Sequence, residues 1–155
     1  VAWGATEAEV KKAMLARPNT ALRYAWKDKA VSVQQYWGPF NGQNHWIFCR
    51  FIEDKLYAVI VLHSAVETKL DEVMERFETT RRGLMAKYGV PDQETGKYMD
   101  AKLYWYWPGK YFIRLAVERL PNAPTPAFGM QLAYIELHGY FKAEGKAAAA
   151  TTSDY

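Results

Sequence analysis

Apolar positions along the chain switch between helical and strand spacing several times, and each switch marks an expected change of element. Val10, Ala13 and Met14 share a face at helical spacing behind Thr6-Glu7-Ala8-Glu9. A Thr followed three residues later by a Glu is a reciprocal capping box, which predicts a helix over 5–17. Pro18 stops it, because proline disfavours helical geometry in the residue before it. Strand alternation then takes over. Leu22, Tyr24 and Trp26 alternate with Arg23, Ala25 and Lys27, and Val31, Val33, Gln35 and Trp37 alternate with Ser32, Gln34 and Tyr36. Residues 38–44 read as a loop. Segments 45–52 and 56–63 predict a hairpin around Glu53-Asp54-Lys55. Both are apolar at nearly every position, as expected of strands at a sheet centre covered on both faces.

A second helix opens at Thr68-Lys69-Leu70-Asp71 and should span 70–88, with Leu70, Val73, Met74, Phe77, Leu84 and Tyr88 on one stripe. Arg81 falls on that stripe and reads as a side chain whose stem packs while its head reaches water. Gly89 suits the left-handed position after the helix, and Pro91 blocks continuation. Residues 92–101 read as a polar connection. Strands are expected over 102–107 and 110–118, joined at Pro108-Gly109 with type II turn chemistry. Three prolines make 119–126 irregular. A last strand is expected over 127–140, with Gly129 as a bulge candidate.

The expected architecture is α+β, in the order α-ββββ-α-βββ. It consists of one antiparallel sheet of about seven strands with two helices packed on one face. Two smaller sheets are the alternative. Residues 1–141 make one domain on this reading, and the alanine-rich segment 142–155 is a poorly ordered tail.

Composition narrows the function classes. The 155 residues are half apolar and 15% aromatic, enough for a core without disulfide or metal support. Net charge is +3 from 20 basic and 17 acidic residues, with signs interspersed, so no electrostatic footprint for nucleic acid is present. No apolar run approaches the roughly 20 residues of a membrane-spanning helix. Cys49 is the single cysteine and sits in a strand-like run, where a buried inert thiol is expected. The chain starts at Val1 rather than Met. Removal of an upstream leader or tether accounts for that, and so does simple trimming.

Gly4-Ala5-Thr6-Glu7-Ala8-Glu9-Val10 resembles the Gly-x-Thr-x-x-x-Val helix start of small bacterial envelope domains, among them outer-membrane-assembly lipoproteins and β-lactamase inhibitor proteins. Phe51-Ile52-Glu53-Asp54-Lys55-Leu56 is similar to the hairpin those domains place after the helix, and Tyr88-Gly89-Val90-Pro91 to their Gly-x-Pro helix end. The chain departs from the pattern at Arg17-Pro18-Asn19, which lacks the glycine, and in having no paired cysteines. The resemblance implies a non-enzymatic, lipoprotein-like module that binds a protein in the periplasm or outside the cell. It assigns no functional residue.

Chemistry-bearing residues are sparse. His45, His63 and His138 lie near strand ends without metal-ligand spacing. Cys49 and His45 are four residues apart on one expected strand, about 13 Å at 3.3 Å per residue, too far for a dyad. No Gly-x-Ser-x-Gly elbow or phosphate-cradling glycine loop occurs. Glu118 and Glu136 could face one another on neighbouring strands, but solvated strand-end glutamates are far commoner than paired catalytic carboxylates. No cofactor is implied. The densest feature is Tyr104-Trp105-Tyr106-Trp107-Pro108-Gly109-Lys110-Tyr111. Alternation puts Tyr104 and Tyr106 on one face and Trp105 and Trp107 on the other. Tyr104, Trp105, Tyr106, Trp107 and Tyr111 are therefore the candidate binding residues, against the plainer reading of an aromatic ladder that stiffens the sheet. Lys102, Lys110 and Arg114 are the nearby cations, too few for a nucleic-acid groove. A macromolecular partner, most simply a protein, is the expected occupant, with a small molecule or carbohydrate as the alternative.

Overall fold

The computed structural model describes residues 2–40, 42–66, 70–90, 93–97, 101–106, 111–119 and 127–152, with side chains for 2–40, 42–63, 71–90, 112–117 and 129–145. The elements are α1 (Glu7–Leu15), β1 (Ala21–Asp28), β2 (Val31–Phe40), β3 (Gln43–Ile52) and β4 (Lys55–Val66). They continue with α2 (Leu70–Tyr88), β5 (Gln93–Lys97), β6 (Ala101–Tyr106), β7 (Tyr111–Arg119), β8 (Ala127–Glu136) and α3 (Leu137–Thr152). The class is α+β with antiparallel strand pairing, as the sequence predicts. The described residues form eight strands and three helices rather than seven and two. The chain divides into two compact units, Val1–Val61 with Tyr134–Tyr155, and Leu62–Ala133.

In the first unit β1, β2, β3 and β4 lie side by side in that order. Val10 and Met14 of α1 are buried, each worth roughly 1.5–3 kcal/mol relative to exposure. Thr6 caps α1 by accepting from the Glu9 N–H at 3.2 Å. The reciprocal arm differs from a full capping box, since Glu9 accepts from the Thr6 hydroxyl at 3.1 Å. The Glu7 N–H goes instead to Asp54 Oδ1, 2.9 Å away in the turn between β3 and β4. Asp54 and its neighbour Glu53 hold φ of 58° and 50°. Two successive left-handed residues make a primed turn whose twist matches the strands it joins.

The segment 38–44, expected as a loop, is mostly strand. Gly38 pairs with His45, Pro39 with Asn44 and Phe40 with Gln43. The hairpin therefore closes within two residues, and Gly42 has φ 79°. Pro39 is tolerated because pairing of β1 with β2 ends at Ala21 and Trp37. Its missing N–H costs no ladder bond on that side, and its carbonyl accepts from Arg17 Nη2 at 2.6 Å.

The last strand ends earlier than the alternation suggests, and the expected tail is helical to Thr152. Residues 153–155 lie outside the described residues. Glu136 makes this switch: its Oε1 accepts from the His138 N–H at 2.9 Å and its Oε2 from the Gly139 N–H at 2.6 Å. A carboxylate on the first free donors of a helix is an N-cap favoured by the helix dipole. Lys142, one turn further on, is ion-paired with Glu53.

In the second unit β8, β7, β6 and β5 are successive neighbours. Val73, Phe77 and Leu84 of α2 are buried, and α2 packs against β7. Its boundaries match the sequence expectation. Thr68 and Pro91 lie outside the described residues, whereas Gly89 takes φ 80° and donates to Met85 O at 2.8 Å. Arg81 on the stripe is half-buried and held by Glu78 at 2.8 Å. β5 forms within the stretch expected to be a polar connection, pairing Gln93 with Trp105 through Lys97 with Ala101. A strand at the end of the order needs no alternating apolar pattern, which is why 93–97 carries none.

Candidate functional site

The candidate residues from the sequence stand on β6 and the start of β7. Tyr104 pairs with Leu115, Trp105 with Arg114 and Tyr106 with Ile113. Leu115 and Ile113 are fully buried, and Arg114 is half-buried. Trp107 and the Pro108-Gly109 turn lie outside the described residues, and for Tyr104, Trp105, Tyr106 and Tyr111 only the backbone is described.

A second aromatic cluster stands in the first unit, where the sequence alone shows no more than strand alternation. Paired residues on adjacent strands share a face. Register places Tyr24 beside Gln35 and Gln35 beside Phe48. Trp26 stands beside Val33, and Trp37 beside Trp46. Tyr24, Trp26, Gln35, Trp37, Trp46 and Phe48 therefore occupy one face of β1, β2 and β3. Their rings meet in two groups, Tyr24 and Trp37 on Trp46, and Trp26 on Phe48. Tyr24 lies 6.4 Å from Trp46 at 40°, Trp26 meets Phe48 edge-on at 6.4 Å, and Trp37 lies 4.9 Å from Trp46. Such tilted and edge contacts suit the ring quadrupoles and hold the rings in fixed orientations.

The two rings on β1 stay open. Tyr24 is 60% exposed and Trp26 42%, while Trp37, Trp46 and Phe48 behind them are half-buried. β1 stands at the end of the strand order, so among the described strands none flanks its outer side. Arg23 sits in a bulge between Leu22 and Tyr24, and Lys27 follows Trp26. A bulge and a lysine are devices that blunt a strand edge against further pairing. The face of β1 is therefore the accessible surface, more than its edge.

The opposite face is the sealed one. Gln34, Tyr36, Ile47, Cys49 and Phe51 are buried there. Tyr36 donates to Gln34 Oε1 at 2.6 Å, and Gln34 Nε2 donates to the Glu7 carbonyl of α1 at 3.1 Å. This chain of bonds satisfies the buried amide and fixes α1 on that face. Burial pushes the Tyr36 hydroxyl well above its ordinary value, and nearby Cys49 adds to the shift. Burial likewise pushes the Cys49 thiol up to about 12, with Arg17 opposing, so it is a neutral packing group and not a nucleophile.

α3 lies on the aromatic side, near the turn between β3 and β4. A two-residue turn after Ile52 sets Arg50 opposite Tyr57. Arg50 and Tyr57 are hydrogen-bonded through their side chains, and Gly139 of α3 presses on Tyr57. In the first unit α1 and α3 thus cover opposite faces, and the rings of β1 lie on the face that α3 shares.

The remaining candidates do not assemble chemistry. His45 is buried, with Nδ1 2.8 Å from the Gln43 carbonyl, and His138 is exposed on α3. Among the described residues no three His, Cys, Asp or Glu side chains are grouped to hold a metal ion. Glu136 is committed to capping α3, and only the backbone of Glu118 is described. An open cleft of about 450 Å³ beside α1 is lined by Ala2, Trp3, Gly4, Ala5, Glu9 and Ala13, and its one carboxylate is Glu9, the partner of Thr6 in the cap. Among the described residues no helix is long and apolar enough to cross a membrane. No protein-family model, curated protein or solved structure matches the chain.

Proposed function

We propose that the chain is a non-catalytic binding module of the bacterial envelope or secreted fraction. It takes a macromolecular partner on the aromatic face of β1, β2 and β3. The observation that carries this reading is the pair Tyr24 and Trp26, 60% and 42% exposed on one face of the terminal strand and each braced by a second ring. Two large exposed rings on one strand face, each backed by a further ring, are apolar surface of the kind that marks an interaction site. Braced rings bind at low entropic cost because they are ordered beforehand. The envelope assignment follows the sequence resemblance at Gly4–Val10 and its hairpin.

The test is capture from envelope extract by the immobilised chain and by Tyr24→Ala and Trp26→Ala variants whose thermal unfolding is unchanged. Loss of the wild-type capture in both variants supports the face. Equal recovery by all three refutes it. Trp105→Ala and Trp107→Ala run as a parallel arm, and loss confined to them would move the binding surface to the aromatic run of β6.

A further inference from the structure

We infer that the occupant of the aromatic face is an uncharged polysaccharide chain, an inference that rests on the binding-module reading and names its partner. The deciding residue is Gln35. It stands at the centre of the ring set, between Tyr24 and Phe48 in register, and is half-buried. Its side-chain amide makes no hydrogen bond among the described residues. Gln34, its neighbour on the sealed face, has both amide atoms engaged. An amide offers two donors and an acceptor in one plane. Set among rings without a protein partner, it is a specificity element awaiting one.

The chemistry around it selects the partner. A pyranose presents a face of C–H bonds, apolar and slightly positive, which matches the negative face of Tyr and Trp. Its edge presents hydroxyls that both donate and accept, matching a free amide. An apolar protein surface would satisfy the rings but bury Gln35 unpaired, at a cost. Charge points the same way. Residues 24, 26, 33, 35, 37, 46 and 48 of this face carry no charge, and the charges nearest in register stand at one end, Asp28 and Arg50. Arg50 is engaged by Tyr57. An anionic chain would therefore find no free cation at the centre. Tyr24 and Trp26 are two residues apart on one strand, roughly 7 Å, a separation on the scale of one sugar unit, so one extended chain can meet both rings.

Titrating the intact chain with neutral hexasaccharides (cello-, manno-, xylo- and laminari-series, and chitohexaose) at millimolar concentration, read by tryptophan fluorescence, tests this. At least one should give a saturable change. Affinity should fall at least about tenfold in Tyr24→Ala, Trp26→Ala and Gln35→Met, with unchanged unfolding temperature. A saturable response only to an acidic oligosaccharide overturns the uncharged assignment. No saturable response to any neutral sugar overturns the inference outright. If extract capture still depends on Tyr24 and Trp26 but Gln35→Met leaves it intact, the module reading stands with a protein as partner. Loss of both dependences defeats both readings.

Discussion

Gly139 of α3 and Tyr57 of β4 approach so closely that a Cβ on residue 139 would stand 2.3 Å from the Tyr57 Cβ. Only a residue without a side chain lets the helix lie this near the sheet. Glycine in a helix ordinarily costs about 1 kcal/mol against alanine. Here that order should invert.

Gly139→Ala is accordingly expected to destabilise the chain by about 1–3 kcal/mol through overpacking. Gly145→Ala, on the same helix with nothing within 4 Å of its Cβ, should instead stabilise it by about 0.5–1 kcal/mol. Thermal or urea unfolding of the two variants checks the contrast. Equal shifts of either sign would refute it.

The turn residues Glu53 and Asp54 share left-handed geometry but differ in what they hold. Glu53→Gly relieves φ strain and removes the half-exposed ion pair with Lys142, itself worth about 0–1 kcal/mol. It should be neutral or slightly stabilising. Asp54→Ala removes the acceptor for the Glu7 N–H and keeps the strain, so a loss of about 1–2 kcal/mol is expected. Asp54→Gly should lose less than Asp54→Ala, as urea midpoints will show.

Glu136→Ala takes away the acceptor of two N–H groups at the start of α3. A loss of about 1 kcal/mol is expected, with a measurable drop in helical circular dichroism. Glu136→Gln keeps an oxygen without the charge and should fall between. If helicity in Glu136→Ala equals wild type, the carboxylate does not start the helix.

Cys49 makes stability depend on pH in the alkaline direction. Its thiol ionises near 9.0 when free and near 12 in the fold, so the folded state holds the proton longer. The stabilisation is full below pH 9 and is lost as pH rises toward 12, by at most about 1.4 kcal/mol per pH unit. Buried Tyr36 adds to the decline in the same direction. Cys49→Ala should therefore show a shallower fall in unfolding free energy between pH 9 and 11. Parallel curves would refute the assignment.

Tyr24 is too exposed to support the core. Tyr24→Ala should cost no more than about 1 kcal/mol, the loss of one cross-strand ring contact, so any effect on capture reports on binding. Calorimetric unfolding showing a larger loss would make Tyr24 structural.

Legibility varied with the kind of signal. α2 emerged from sequence with its full span because a long apolar stripe and Gly89 both act locally. β5 did not, since a strand at the end of the order borrows its pairing from β6 and shows no pattern of its own. α3 was hidden for a related reason. Leu137-His138-Gly139-Tyr140 carries a glycine that argues against helix, and the glycine is there because Tyr57, 82 positions away in sequence, leaves no room for anything larger.

The binding surface divides in the same way. Alternation in sequence put Tyr24 and Trp26 on one face, but the same alternation describes a buried face and an open one equally well. Sequence by itself determined the periods, the turns and the caps, hence the α+β class, because each depends on residues within one or two turns of chain. Only the tertiary structure decided which strand stands last, which ring is braced by which, and which of two adjacent glutamines bonds its amide to none of the described residues. Those depend on what lies across the sheet, and no local pattern encodes a neighbour's presence or absence.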